Sequence, residues 1–405
     1  MDPSSSARPR VATWAPVALA LAFVGAATLV PVSHGTGGDD IPFWCLRCGD
    51  YAMADALANV VLFVPLGWAL SRAGVRSRRG LAVVLMTTIG VEWLQHALIP
   101  GRVASVADIL ANTVGGAVGM ALPRLHRWVV ETSLRAVRAS IVYGVLLIAC
   151  LGAGEATQVV LSPRALYWTR GHADGSHYVP FTGSLKEVRV DGVPIVLDQW
   201  LDVPARGGGD VALELASGRP DTGLAHVVIA WMPNARGWMW LEQRDRDLHV
   251  HFASGSDGAR LRGHCVWLRH VMPAVAGESV TVRFVVRRFE YRVFLVSNAG
   301  AFVQEARISP GDGWRLFAPG EGEWGLWAGL LTAGWMAVLL GPLGYLASQR
   351  SRATAAIAAV GAALTVLLLP VLTGCAWLPV AGWCGLGGGL LIGPLSRARS
   401  GRASG

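Results

Sequence analysis

Residues 54–61 read Ala54-Asp55-Ala56-Leu57-Ala58-Asn59-Val60-Val61, and residues 107–114 read Ala107-Asp108-Ile109-Leu110-Ala111-Asn112-Thr113-Val114. Each segment opens an apolar run long enough to cross a bilayer, and each sets Asp and Asn four apart on one helix face. The repetition predicts two helix hairpins inserted in the same direction, each carrying a carboxylate above an amide near one membrane surface. The fold class that follows is a mostly α-helical polytopic membrane bundle. Composition agrees: of 405 residues, 53% are hydrophobic and 15% charged, where a soluble domain carries about a quarter charged. A purely soluble protein is excluded.

Similar runs are read at Val11–Val32, Met53–Arg72, Leu81–Ile99, Val106–Leu122, Ile141–Val160, Trp324–Leu346, Thr354–Leu372 and Cys375–Leu395. The first follows Arg8 and Arg10 like a signal sequence, but it lacks a small-residue cleavage site and is read as an anchor. The net charge of +8 does not point to nucleic acid, because the arginines stand in short clusters between apolar runs. Those clusters (Arg8 and Arg10; Arg72, Arg76, Arg78 and Arg79; Arg124, Arg127, Arg135 and Arg138; Arg350 and Arg352; Arg397, Arg399 and Arg402) fall on alternate loops. The positive-inside rule then puts both termini in the cytoplasm of a multi-pass membrane protein.

The expected order is a cytoplasmic N-terminus (1–10), a four-span domain (11–125), an arginine-rich loop (126–140) and a fifth span (141–160). An extracytoplasmic β-domain (161–323), a three-span region (324–395) and a cytoplasmic tail (396–405) follow. In the β-domain, Ala225–Met232, Trp238–Glu242, Leu248–Ala253, Arg260–Arg269, Ser279–Val286 and Tyr291–Ser297 alternate or are β-branched. Residues 233–237 and Ser254-Gly255-Ser256-Asp257-Gly258 separate them and read as hairpin turns. An inserted all-β antiparallel sandwich is expected. Among six cysteines, Cys45 and Cys48 form a CxxC in the first outer loop. A disulfide suits an oxidising compartment, a zinc site would need ligands from elsewhere, and a thioredoxin-like role lacks its βαβ context.

Glu92, Gln95 and His96 adjoin on the third run, and Arg102 follows in a short loop. A carboxylate this deep should face the bundle interior and be paired, hydrated or protonated, with Arg102 the nearest counter-charge. Asp55, Asn59, Glu92, Gln95, Arg102, Asp108 and Asn112 therefore gather toward one polar cavity. The competing reading is a hydrogen-bonding network between helices, with Asp55 and Asp108 serving helix starts, His96 on the surface, and Gly115, Gly116 and Gly119 permitting close packing.

The ordered set Asp55-x3-Asn59-x3-Phe63-x-Pro65-x-Gly67, Glu92-x2-Gln95 and Arg102-x5-Asp108-x3-Asn112-x2-Gly115 resembles the signature of the VanZ-like family of bacterial membrane proteins. Cys45-x2-Cys48-Gly49 resembles a feature of some members. The resemblance spans residues 10–125 and implies a small polytopic bundle and a link to glycopeptide antibiotic resistance; it supplies no reaction. Residues 179–190, with a Phe-x-Gly turn before an alternating strand, resemble the concanavalin-A-like or laminin-G-like sandwich. Trp168, Trp200, Trp231, Trp238, Trp240 and Trp267 could stack on sugar rings or pack the sheets.

Two functions compete. In the first, the bundle binds or modifies a cell-envelope lipid or lipid-linked glycan, such as a cell-wall precursor, at the outer face. Candidate catalytic groups are Glu92, Arg102, Asp55 and Asp108, with Asn59, Gln95 and Asn112 as binding groups. In the second, the bundle is an anchor and the sandwich binds glycan or a partner without catalysis. A transporter ranks third, since no broken span stands out. No metal site or cofactor is expected, and Walker A, Rossmann and HExxH motifs are absent.

Overall fold

In a computed structural model the described residues are 10–29, 42–46, 51–99, 104–171, 178–202, 208–220, 223–261, 263, 265–298, 300–310 and 327–402. The chain divides into two compact units, residues 1–135 and 136–405. The first holds α1 (Arg10–Thr28), α2 (Ala52–Arg72), α3 (Ser77–Leu98) and α4 (Val106–Val130). The second holds nearly all of α5 (Ser133–Thr157), then a β-sandwich, then α7 (Trp327–Ser348), α8 (Arg352–Thr373) and α9 (Val380–Arg402). Five helices, α2 to α5 and residues 353–373 of α8, are long and apolar enough to cross a membrane. The three other expected runs form α1, α7 and α9.

The stretch 126–140, expected as a loop, is instead helical on both sides of a turn at Glu131 and Thr132. Its arginines alternate with Leu, Ala and Val, all compatible with helix, so the spans continue beyond their apolar cores.

Within the first unit α2 and α4 run parallel and almost touch. A Cβ on Gly115 would lie 2.1 Å from the Val60 carbonyl oxygen, one on Gly119 2.1 Å from that of Val64, and one on Gly67 2.0 Å from that of Gly116. Small residues let backbones approach closely where lipid offers no hydrophobic drive between helices. On the other side of α2, Phe63, Leu66 and Leu70 pack with Val17, Ala20 and Val24 of α1.

The second unit's helices repeat this set. Pro65-Leu66-Gly67-Trp68 of α2 recurs as Pro342-Leu343-Gly344-Tyr345 of α7. The contacts recur in register: Gly344 meets the backbone of Leu390 of α9 as Gly67 meets that of Gly116, and Gly389 meets that of Ala337 as Gly115 meets that of Val60. Leu147 and Leu151 of α5 pack on Leu340 and Leu343, as Ala20 and Val24 of α1 pack on Phe63 and Leu66. Helices α5, α7, α8 and α9 thus reproduce α1 to α4, and the sandwich occupies the place of the α1–α2 connection.

The sandwich has two antiparallel six-stranded sheets that do not close into a barrel. One is ordered β4 (Trp200–Asp202), β1 (Ala165–Arg170), β6 (Leu224–Trp231), β7 (Gly237–Arg244), β8 (Asp247–Phe252) and β9 (Cys265–Leu268). The other is ordered β12 (Gly300–Arg307), β11 (Glu290–Ser297), β10 (Ser279–Arg287), β5 (Gly208–Ala216), β2 (Ser184–Val190) and β3 (Val193–Pro194). Alternation decides the inner faces: Val280, Val282, Phe284 and Val286 of β10 and Val293 and Leu295 of β11 meet Met239, Leu241, Val250 and Phe252 of the facing sheet. Residues 254–258, expected as a simple hairpin turn, instead form one helical turn, α6 (Gly255–Gly258), with a capping box between Ser254 and Asp257. Among the described residues between 260 and 269, strand structure is confined to β9.

Candidate functional site

The polar residues of the first unit gather where α1 and α3 end and α2 and α4 begin. Ser105 N-caps α4, its hydroxyl accepting the Asp108 backbone N–H at 3.1 Å and donating to the Asp108 carboxylate at 2.8 Å. The other Asp108 oxygen accepts the Asn59 amide N–H across the α2–α4 contact. The Ser105 backbone N–H donates to Glu92 Oε2 at 3.1 Å, and Glu92 is 4% exposed. One connected network therefore links α2, α3 and α4 through Asn59, Asp108, Ser105 and Glu92.

Two further bonds fix α3. Asn112 donates to the Thr88 hydroxyl at 2.8 Å, and Gln95 donates to the Thr28 carbonyl at the end of α1 at 2.9 Å. Asn112, Thr88 and Gln95 are all buried, and Asn112 Oδ1 closes no hydrogen bond among the described residues. An open buried acceptor suits a donor from a ligand or water.

The sequence repeat is not an environmental repeat. Asp108 is half-buried and bonded on both oxygens, whereas Asp55 is exposed, and the Asp108 bond from α2 comes from Asn59. The cause is the glycine register: seating Val60 against Gly115 brings Asn59, rather than Asp55, across from Asp108. His96 is exposed. Arg102 lies outside the described residues, as does Cys48; Cys45 is in a disulfide. Ser105, Thr88 and Thr28 were not singled out from the sequence, although Ser105, three residues before Asp108, carries the signal of a helix N-cap.

Residues 42–46 cover this end of the bundle, the Phe43 carbonyl accepting the Val106 backbone N–H at 2.8 Å. Phe43 and Trp44 are 48% and 75% exposed, as suits aromatic rings at a membrane–water interface.

In the second unit the same positions are apolar. Asn59 corresponds to Met336, Asp108 to Gly382 and Asn112 to Leu386; counting from the N-caps Arg76 and Ser351, Glu92 corresponds to Leu367 and Gln95 to Pro370. Met336 and Leu386 belong to the hydrophobic cluster of α5, α7, α8 and α9. The buried carboxylate there is Glu155, at the end of α5, which interacts with Cys375.

Of the tryptophans, Trp168 and Trp238 are buried in the sandwich core, Trp240 and Trp267 stack on histidines, and Trp200 is 56% exposed beside Tyr167. Among the described residues no group of three His, Cys, Asp or Glu side chains is arranged to hold a metal ion.

Apolar spans and the inserted two-sheet domain define a multi-pass membrane protein with an all-β insertion. Residues 17–127 match the VanZ/LLP1 family model, so α1 to α4 form a VanZ-like domain. No curated protein and no solved structure matches the sequence.

Proposed function

We propose that the VanZ-like domain binds, at the outer face of the bacterial cytoplasmic membrane, the polar head of a cell-envelope lipid or lipid-linked glycan. The observation that carries this reading is the buried Glu92, held by Ser105, together with the open acceptor of Asn112 on α4, in a helical set whose second copy is apolar at the same positions. A network serving only to hold helices together would be needed in both copies, since both make the same glycine contacts. Ionisable groups within spans, costly to insert, mark functional sites by default. In this reading Glu92 and Asn112 accept hydroxyl or amine protons of the head, Arg102 pairs with a phosphate, and the exposed Phe43 and Trp44 rest at the headgroup level. Asp108 and Asn59 position α4, and Asp55 is a peripheral acid. Glycopeptide resistance would follow if the bound lipid carries the cell-wall precursor. Glu92→Gln and Arg102→Ala are each expected to abolish a resistance or envelope phenotype at unchanged protein level; an intact phenotype in both contradicts the reading.

One observation favours a second reading, glycan binding by the sandwich. Tyr167 and the exposed Trp200 stand 5.5 Å apart at the β4 edge of its sheet, a pair of rings on which a sugar could stack. Trp200→Ala should then weaken cell-wall glycan binding by the full chain, and unchanged binding would remove this reading.

A further inference from the structure

On the sandwich face turned away from its core, four neighbouring strands place titratable and aromatic groups in two rows. Strand pairing sets His226, Glu242, His249 and Trp267 side by side in one row and Trp240, His251 and Cys265 in the next. Alternation explains why: the residues between them, Leu241, Leu248, Val250, Val266 and Leu268, enter the core. Glu242 is 2% exposed. Its Oε2 lies 2.7 Å from His249 Nδ1 and its Oε1 3.1 Å from His226 Nδ1. Trp267 stacks on the His249 ring at 4.4 Å and fixes its plane.

With Nδ1 engaged by a carboxylate, the tautomer and direction of His249 are set, and its other nitrogen is left for a different partner. Nε2 is buried and closes no hydrogen bond among the described residues. Cys265 stands opposite His251 and so diagonal to His249 across the β8–β9 pair, and its side chain interacts with that of His249. Cys265 is a free, half-buried cysteine at the start of β9, the edge strand of its sheet. A network built only for stability would satisfy both ring nitrogens with oxygen or nitrogen partners; this one leaves one nitrogen open in the row next to a half-buried thiol.

We propose that Cys265, His249 and Glu242 form a thiol nucleophile site for activated acyl groups, carboxylic esters or thioesters, separate from the polar cluster of the VanZ-like domain. Cys265 is the nucleophile, His249 the proton carrier and Glu242 the positioning residue. The thiol proton moves to His249 Nε2, and the thiolate attacks the acyl carbon to form an S–C bond. The bond from that carbon to the leaving oxygen or sulfur breaks, and the proton on Nε2 passes to the leaving group. Water then attacks the thioester carbon, giving one proton to Nε2 and returning it to Cys265 as the free acid departs. No outside oxidant or reductant enters. Burial opposes charge on His249, but the Cys265 and Glu242 side chains outweigh it and hold its pKa up to about 9.

The test uses the full chain in detergent micelles. Iodoacetamide labelling is followed residue by residue by mass spectrometry, and nitrophenolate release is followed from 4-nitrophenyl acetate. In the wild type near pH 7, Cys265 should label roughly ten-fold faster or more than in His249→Gln, and an acetyl thioester should form on Cys265 with a nitrophenolate burst that Cys265→Ser lacks. Glu242→Gln should move the midpoint of the labelling rate to higher pH, which loss of packing alone would not do. His249→Gln keeps the question open to refutation if Glu242→Gln does not fold. Equal labelling rates in wild type and a folded His249→Gln overturn the proposal, as does a Cys265 that neither labels nor acylates in the folded wild type.

Discussion

The two helical sets of this chain have nearly the same skeleton and opposite interiors. In both, the second and fourth helices run in glycine-mediated backbone contact, through Gly67, Gly115 and Gly119 in one and Gly344, Gly385 and Gly389 in the other. Where the first carries Asn59, Glu92 and Asn112, the second carries Met336, Leu367 and Leu386. The difference separates what the architecture needs from what it does not. Close packing needs glycine; it does not need the polar cluster.

The largest effects should come from the shared part. Gly115→Leu and Gly389→Leu each drive a side chain into a backbone carbonyl, of Val60 and Ala337 respectively. Overpacking costs about 1–3 kcal/mol and more when backbone must move, so both should lose monodisperse protein on size exclusion. Gly387→Ala, with nothing within 4 Å of the added Cβ, should be silent. Comparable losses in all three would break the equivalence of the two contacts.

Next comes the part that differs. Converting the first copy toward the second with Asn112→Leu and Thr88→Ala removes both partners of one buried hydrogen bond, a change near neutral for stability, within about 1 kcal/mol. Thermal unfolding should barely move while any envelope phenotype is lost. A large fall in melting temperature would instead make the polar cluster structural.

A smaller effect should be confined to the inserted sandwich. His249 has a pKa raised from 6.5 to about 9. The stability gained from its protonated form is therefore full below about 6.5 and is lost as pH rises through about 9. The facing ionisable groups are Glu242 and Cys265, with His226 sharing Glu242. Tryptophan fluorescence should show the sandwich melting earlier above pH 9, with the effect reduced in Glu242→Gln. Melting that falls equally in Glu242→Gln and wild type would assign the dependence elsewhere.

The sequence makes the helical sets legible because apolar length and arginine position are local signals. The polar cluster was legible as a set of residue types, but not as a geometry. Asp55 and Asp108 are twins in sequence, and only the packing of Gly115 on Val60 tells them apart by carrying Asn59 to Asp108. The sandwich strands read clearly where alternation is regular, as in β10, and poorly at β4 and β3, which are three and two residues long. The Glu242, His249 and Cys265 grouping is invisible to spacing along the chain, since it exists only once β7, β8 and β9 pair in register. Repetition between the helical sets was hidden because what survives is small residues and one Pro-Leu-Gly, while Asn59, Glu92 and Asn112 have no polar counterparts.

The central claim is that the first copy's polar end is the working site and that the second copy, apolar at the positions of Asn59, Glu92 and Asn112, is scaffold. Native mass spectrometry of the full chain, incubated with phosphatidylglycerol and with a polyprenyl-phosphate-linked glycan, tests it most directly. Bound lipid should be lost in Glu92→Gln and Arg102→Ala and kept in Leu367→Ala and Leu386→Ala, which stand in the second copy where Glu92 and Asn112 stand in the first. Equal lipid retention in all four variants, or loss only in the second-copy variants, would contradict it.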